Sequence, residues 1–314
     1  MDWRYCFRNA ETSINNAAKK RLKFGDIMAA VIIDGKVTGQ KIREGVKQKT
    51  AVLLEKGITP CLAVILVGED PASLAYVTSK EKSLAEAGME SRDIRLPAGT
   101  EEADLLSLIA ELNSDKKIHG ILVQLPLPKH INEEKVIDAI APGKDVDCFH
   151  PASVGNMVIE KPGFLPCTPH GVLALLREYN VPVSGAHVVI VGRSNIVGKP
   201  LANLLIRREY NATVTLCHTG TKDLAYHTLQ ADILIAAAGR PALIKPEMVK
   251  EGAAVIDVGI NRVSDISSKK GYRLCGDVDP AVAEKAAYYT PVPGGVGPIT
   301  IAMLLNNVLE AAAG

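Results

Sequence analysis

From Ala29 onward two patterns of apolar residues take turns along the chain. Short runs at Ala29–Ile33, Leu62–Val67, Glu90–Leu96 and Gly120–Val123 read as strands. Between them, apolar residues recur every three or four positions. Ile42, Val46 and Leu53 mark a helix over Gly39–Lys56, and Leu105, Leu108, Ile109 and Leu112 mark one over Glu102–Asn113. Further helices are predicted over Pro71–Ala87 and Glu133–Ile140. Alternation of this kind predicts a mostly parallel sheet covered on both faces, with ligands held beyond the carboxyl ends of its strands. A linker is expected over Gly155–Pro166. Thr168–Pro169 then starts a helix through Val172, Leu173, Leu175 and Leu176. A second alternating unit follows, with strands at Ala186–Val191, Thr213–Cys217, Asp232–Ala237 and Ala253–Val258. A last helix begins at Pro298 and carries Ile301, Leu304, Leu305 and Val308.

Composition narrows the class. With 314 residues, 47% hydrophobic and 23% charged, the chain has the makings of two soluble domains. A net charge of +1 gives no electrostatic case for nucleic acid or an anionic membrane. No uninterrupted apolar run approaches the roughly 18 residues that span a bilayer. The six cysteines are scattered without a Cys-x-x-Cys pair, which argues against zinc and against a disulfide-stapled domain and suits a reducing cytoplasm. Residues 1–27 are basic, hold the single tryptophan, Trp3, and lack a clear period. They read as a nonessential extension.

Candidate chemistry clusters at predicted strand ends. Asp70-Pro71 supplies an N-cap and a first helical residue, and on the helix that follows Ser73, Tyr76 and Lys80 share a face. Taken alone, they fit a solvated helix face better than a site. Gln124 follows the Gly120–Val123 strand and precedes two prolines in Leu125-Pro126-Leu127-Pro128, where it serves equally as a cap for a loose strand end or as a ligand contact. Lys144-Asp145-Val146-Asp147 is a loop with two acids, of which Asp145 reads as a turn or salt-bridge residue rather than a ligand contact and Asp147 as either. Gly192-Arg193-Ser194-Asn195-Ile196-Val197-Gly198 joins a strand to a helix as a dinucleotide loop does, though a plain turn fits too. After the next strand, Cys217-His218-Thr219-Gly220-Thr221 holds no acid for a ribose 2′-hydroxyl, whereas Arg193 and Thr219 suit a 2′-phosphate. That favours NADP over NAD. Asp257-Val258-Gly259-Ile260 ends a later strand with a glycine that permits close approach of a nicotinamide. Pro291–Pro298, with three glycines and three prolines, is a shaped loop.

Together these blocks resemble one family, the bifunctional methylenetetrahydrofolate dehydrogenase/methenyltetrahydrofolate cyclohydrolases. The resemblance runs from about Ala29 to Leu309 and is carried by Tyr76-Val77 with Lys80 and Lys82, Gly120–Pro128, Lys144–Asp147, Pro166-Cys167-Thr168-Pro169, Gly192-Arg193-Ser194, Val255–Asn261 and Pro291–Pro298. It implies two α/β domains flanking a cleft. Residues 28–165 with 296–314 would form the folate-binding catalytic domain, and 166–295 a Rossmann-type NADP-binding domain. The last helix would pack on the first domain, and a homodimer would form through the nucleotide-binding domain. By matching position, Lys80 resembles the general acid/base, Gln124 its orienting partner, Tyr76 the aromatic platform for folate and Asp147 the carboxylate that grips the pterin, with Ser73 beside Lys80. Val123, Leu125 and the loop Pro293, Gly294, Gly295, Val296 and Gly297 resemble substrate contacts. Gly192, Arg193, Ser194, Thr219 and Ile260 resemble NADP contacts. One departure is Cys148, where many members carry glycine. The implied activity is NADP-dependent oxidation of 5,10-methylenetetrahydrofolate followed by hydrolysis of the methenyl product. An NADP-dependent dehydrogenase of another small acid, or a non-enzymatic nucleotide- or folate-binding module, would share some of these features.

Overall fold

A computed structural model describes residues 23–24, 27–28, 30–268 and 271–314. In chain order its elements are β1 (Val31–Ile32), α1 (Gly35–Glu55), β2 (Cys61–Val67), α2 (Pro71–Glu86), β3 (Glu90–Leu96), α3 (Glu102–Ser114), β4 (Gly120–Val123), α4 (Glu133–Ala139) and α5 (Pro151–Val158). They continue as α6 (Cys167–Glu178), β5 (His187–Val191), α7 (Gly198–Leu205), β6 (Thr213–Cys217), α8 (Leu224–Thr228), β7 (Ile233–Ala236), β8 (Ala254–Asp257), β9 (Asn261–Ser264), β10 (Tyr272–Cys275), β11 (Tyr288–Tyr289) and α9 (Val296–Ala313). The chain divides into two units, one of residues up to Thr38, Val172–Ser194 and Leu205–Pro298, the other of Gly39–Gly171, Asn195–Leu204 and Ile299–Gly314.

The second of these units is built on a parallel three-stranded sheet of order β3-β2-β4. All seven residues of the central strand β2 are buried, which is why its sequence is apolar without alternation. The outer strand β3 is largely exposed and carries Glu90, Arg92, Asp93 and Arg95, charges that blunt a sheet edge. A further bridge pairs Ile121 with Asp145, laying the Lys144–Asp147 segment beside β4. Gly120 makes this approach possible, since a Cβ there would stand 2.7 Å from Val146 Cγ1. Ile65, Leu105, Ile109, Ile121 and Val136 lie at the centre of the core between sheet and helices.

The other unit holds six parallel strands in the order β1-β11-β8-β7-β5-β6. Val191, Ala236, Asp257 and Cys217 stand in one row at its carboxyl edge, paired across neighbouring strands. Val189, Leu234, Val255 and Val282 are fully buried in its core. The strand predicted first in the chain pairs here, Val31 with Tyr288 and Ile32 with Tyr289.

Several element boundaries differ from the sequence reading, three of them in ways that matter here. Helix α1 begins at Gly35, four residues before the predicted start at Gly39, because Asp34 Oδ1 accepts from the backbone N–H groups of Lys36 (2.8 Å) and Val37 (3.2 Å) and caps the first turn. The expected linker over Gly155–Pro166 opens as helix in its first third: α5 runs to Val158, with Pro151 in its first turn and His150 Nδ1 accepting from Ala152 N. Helix α9 begins at Val296, two residues before Pro298. The expectation for residues 1–27 falls almost wholly outside the described residues. Helix α9 is also long and apolar enough to cross a membrane, with a mean hydropathy of 1.4 over 18 residues. Its Ile299, Leu305 and Val308 are fully buried, the behaviour of a core helix.

Candidate functional site

Helix α2 starts where Asp70 Oδ2 accepts from Ser73 N at 2.8 Å, and Pro71 occupies its first turn. Its buried stripe is Ser73, Val77, Lys80 and Leu84, spaced four, three and four residues apart. Two polar side chains thus occupy a stripe that packing alone would fill with apolar ones. Lys80 is 6% exposed. Its Nζ donates to Gln124 Oε1 at 3.2 Å and stands 4.5 Å from the centroid of the Tyr76 ring, which lies at the edge of the stripe and is 37% exposed.

Gln124 is aimed by its backbone. Its N–H continues the β4 ladder by donating to Ile65 O at 2.8 Å, and the next bond, Leu125–Pro126, is a cis peptide. The side-chain Nε2 donates to Leu125 O at 2.8 Å, which orients Oε1 as the acceptor for Lys80. Val123, Leu125 and Asp147 together line a small cavity of about 10 Å³.

Asp147 hangs on a heavily tied loop. Lys144 Nζ donates to the carbonyls of Leu112 (2.8 Å) and Asp115 (2.7 Å), capping the end of α3. Asp145, read as a turn or salt-bridge residue, holds the turn: its two carboxylate oxygens accept from Phe149 N (3.1 Å) and His150 N (2.9 Å). Cys148 has φ +60°, a left-handed conformation that glycine adopts freely, and its buried Sγ donates to Phe164 O at 3.1 Å. The loop therefore keeps a glycine-like shape with a cysteine in place. Cys167 Sγ lies 3.9 Å from Asp147 Oδ1 and 3.5 Å from Val146 O. Sequence reasoning saw Cys167 only as part of Pro166–Pro169 and gave it no role.

Burial drives the electrostatics of the cluster. It lowers the pKa of Lys80, while the nearby Asp147 and Cys167 side chains act in the opposite direction. It raises the pKa of Asp147, against the pull of Lys80. Both partners are thus pushed towards their neutral forms. Burial also raises the Cys167 thiol well above its ordinary value and the Tyr76 phenol above its own, so neither ionises near neutral pH.

The nucleotide candidates lie in the other unit, beyond the carboxyl edge of the six-stranded sheet. Gly192 has φ +130°, and a Cβ there would fall 2.0 Å from Ala237 O, so only glycine fits. Its N–H donates to Cys217 O at 2.9 Å. Since Val191 pairs with Cys217, Arg193 and Thr219 stand at matching positions two residues beyond a paired row. Both are exposed, as is Ser194. The turn after β6 is closed by Thr221 Oγ1 accepting from His218 N (2.8 Å) and His218 Nδ1 accepting from Gly220 N (3.0 Å). The first acid after it, Asp223, caps α8 by accepting from Tyr226 N at 3.1 Å. An exposed guanidinium, a threonine hydroxyl and no carboxylate at this strand end fit a ribose carrying a 2′-phosphate. Ile260 is 60% exposed, and a Cβ at Gly297 would lie 3.5 Å from its Cδ1, so Ile260 and the Pro293–Gly297 segment adjoin. Gly295 N donates to Pro291 O at 2.8 Å and Val292–Pro293 is cis.

Two buried carboxylates that the sequence reading overlooked fix this edge. Asp277 accepts from the N–H groups of Ala238 (2.6 Å), Gly239 (2.8 Å) and Arg240 (2.9 Å) and from Asn261 Nδ2 (2.8 Å). Asp257 accepts from Gly259 N (3.0 Å), Asp277 N (3.0 Å) and Val278 N (2.9 Å). In the sequence, the only signal was the Asp257-Val258-Gly259 ending of β8.

Comparison with known proteins gives concordant matches to both units. The catalytic-domain model of the tetrahydrofolate dehydrogenase/cyclohydrolase family matches residues 33–147, and its NAD(P)-binding-domain model matches residues 166–314. The bifunctional protein FolD of Exiguobacterium sibiricum is 58% identical over 284 residues, 90% of this chain and 99% of its own. The structure of the bifunctional FolD of Campylobacter jejuni is similar with a TM-score of 0.86 at 49% identity, covering 91% of this chain and 99% of that one. The Trypanosoma brucei enzyme, solved with NADP and an inhibitor, has a TM-score of 0.87 at 42% identity, covering 91% of this chain and 98% of that one.

Proposed function

Because this chain belongs to the tetrahydrofolate dehydrogenase/cyclohydrolase family, with both of its domains matched, we propose how its residues divide the family's two reactions between them. The chain is a bifunctional enzyme of folate one-carbon metabolism that oxidises 5,10-methylenetetrahydrofolate and hydrolyses the resulting methenyl compound to 10-formyltetrahydrofolate, with NADP as cofactor. Bound NADP would supply the acceptor for the hydride of the methylene carbon. Arg193 would pair with its 2′-phosphate, Thr219 and Ser194 would add hydrogen bonds, Gly192 would let the backbone approach the pyrophosphate, and Ile260 would bound the nicotinamide. Loss of hydride leaves a delocalised cation on the folate, so the first reaction calls for positioning and charge stabilisation. Tyr76 offers its ring face to the folate, Asp147 grips the pterin as a carboxylate, and Val123, Leu125 and the Pro293–Gly297 loop shape the substrate's surroundings.

Hydrolysis needs a base. An ordinary lysine with a pKa of 10.5 is almost wholly ammonium at neutral pH, and burial shifts Lys80 towards the free amine. The nearby cationic ring of the substrate shifts it further the same way. Lys80 then takes a proton from water as its oxygen bonds to the methenyl carbon, and returns it to the ring nitrogen when that carbon–nitrogen bond breaks; the second water proton leaves to solvent as the formyl C=O forms. Gln124 holds the amine in place without adding charge, and Ser73 lines the same stripe. The observation that carries this reading is the buried Lys80 amine held between the Gln124 amide and the Tyr76 ring.

Lys80→Met keeps unbranched bulk and removes the amine. We expect cyclohydrolase turnover to fall by about 10²–10⁴-fold, while the dehydrogenase, followed as NADPH absorbance, is impaired less. Full cyclohydrolase turnover in this variant refutes the assignment. The proposal extends to a homodimer formed through the nucleotide-binding domain and to a cytoplasmic location, supported by the family resemblance and by cysteines that are all free among the described residues.

A further inference from the structure

Asn307 is a polar residue on the buried side of the apolar helix α9, and it is 1% exposed. Its Nδ2 donates to the carbonyl oxygens of Val146 at 2.7 Å and Leu165 at 2.9 Å, and lies 3.6 Å from Cys167 Sγ. Two carbonyl acceptors fix which amide atom is the nitrogen. Both of its hydrogens are therefore committed, and each satisfies a main-chain acceptor away from water. The three partners belong to the two segments that frame Asp147. Val146 precedes it directly, and Cys167 places its sulfur 3.9 Å from Asp147 Oδ1. The loop's remaining ties, through Lys144, Asp145 and Cys148, attach on either side of Asp147.

We propose that Asn307 is a positioning residue for the Asp147 carboxylate, so that a side chain near the end of the chain sets folate affinity in both reactions without touching folate. The inference rests on the reading of Asp147 as the pterin-gripping carboxylate. An apolar residue at 307 would fill the space but leave the Leu165 carbonyl without its amide donor and the Val146 carbonyl with only the weak, long contact from the Cys167 thiol, and the Val146–Cys148 backbone would shift to regain partners. The carboxylate then moves relative to Lys80 and Gln124. Displacements of about 1 Å at such a group change affinity and rate markedly. Nucleotide affinity has no route to change by this mechanism.

The test is a double-mutant cycle of Asn307→Ala and Asp147→Asn, reading KM for methylenetetrahydrofolate and for NADP, Kd for tetrahydrofolate by calorimetry, and Tm. Asn307→Ala alone should raise folate KM and Kd about tenfold and leave NADP KM within about twofold. In the Asp147→Asn background the same substitution should change folate affinity by less than about twofold, because the group it positions is already disabled. A lowered Tm with unchanged folate KM and Kd in Asn307→Ala, beside weakened folate binding in Asp147→Asn, overturns the inference and leaves the Asp147 reading intact. So do effects that simply multiply. Unchanged folate affinity in Asp147→Asn itself rejects that reading and this inference with it. If Asn307→Ala does not fold, Asn307→Ser, which keeps one donor, is carried through the same cycle with the same criteria.

Discussion

At the scale of single residues, the proposed chemistry lies in groups whose surroundings oppose their ordinary ionisation. Lys80 and Asp147 are both driven towards neutrality by burial, and each partly restores the other's charge. The cyclohydrolase rate, corrected for spontaneous hydrolysis, should therefore rise with pH through an apparent pKa below the ordinary lysine value of 10.5. Arg193 makes a separate case, being exposed at the end of β5 opposite a strand end that lacks an acid. Arg193→Ser should raise KM for NADP by about 10–100-fold, the worth of a charge-assisted phosphate contact of ~1.5–3 kcal/mol. KM for NAD and for folate should stay within about twofold in steady-state assays. The types and order of these residues were legible in the sequence. Their burial was not: Lys80 among three polar residues on α2 reads as solvated until β4 and the Asp147 loop are seen to cover it. Cys167 was missed for a related reason, since its place beside Asp147 depends on a contact across 20 positions of chain.

At the scale of elements, α2 is the part whose local sequence and tertiary role agree best. Asp70 and Pro71 start it where a strand-to-helix turn is needed, and the stripe Ser73, Val77, Lys80 and Leu84 follows helical spacing. Removing the cap with Asp70→Ala should lower stability by about 1 kcal/mol, a Tm shift of roughly 2–4 °C measurable by calorimetry. Because the first turn carries Ser73 and leads to Tyr76, folate KM should rise as well. Two of the elements misread from sequence share a cause. Helix α1 starts early because of Asp34, and α5 replaces a linker because Pro151 and the His150 ring cap a turn with weak periodicity. Capping by a single side chain is a local event that a search for apolar period overlooks.

At the scale of the whole molecule, the nucleotide-binding unit carries a buried carboxyl, Asp257, with its own pH signature. Burial raises Asp257 to about 6, against three backbone N–H donors that favour the anion. A carboxyl whose folded-state pKa lies above its unfolded value of 3.8 binds its proton more tightly when folded. Its contribution is thus fully present below pH 3.8 and is lost as pH rises through about 6. The loss amounts to about 3 kcal/mol at most. Between pH 4 and pH 6.5, wild-type Tm should accordingly gain less, or fall more, than that of Asp257→Asn in parallel melts. A larger relative gain in the wild type overturns the assignment.

The sequence by itself determined the alternating α/β class, the carboxyl-end placement of the candidate chemistry and, through the order of its blocks, the family. Those features follow from short strand-forming runs and a 3.6-residue period, from punctuation by glycine, proline and capping residues, and from short motifs, all of which are local. Only the tertiary structure decided that Lys80 is buried, that Gln124 Oε1 faces it and that a cysteine at 148 keeps a glycine-like loop. It alone showed that Asn307 ties Val146 to Leu165, 161 and 142 positions back along the chain. Desolvation and long-range hydrogen bonding depend on what folds over a residue, and no local pattern encodes that.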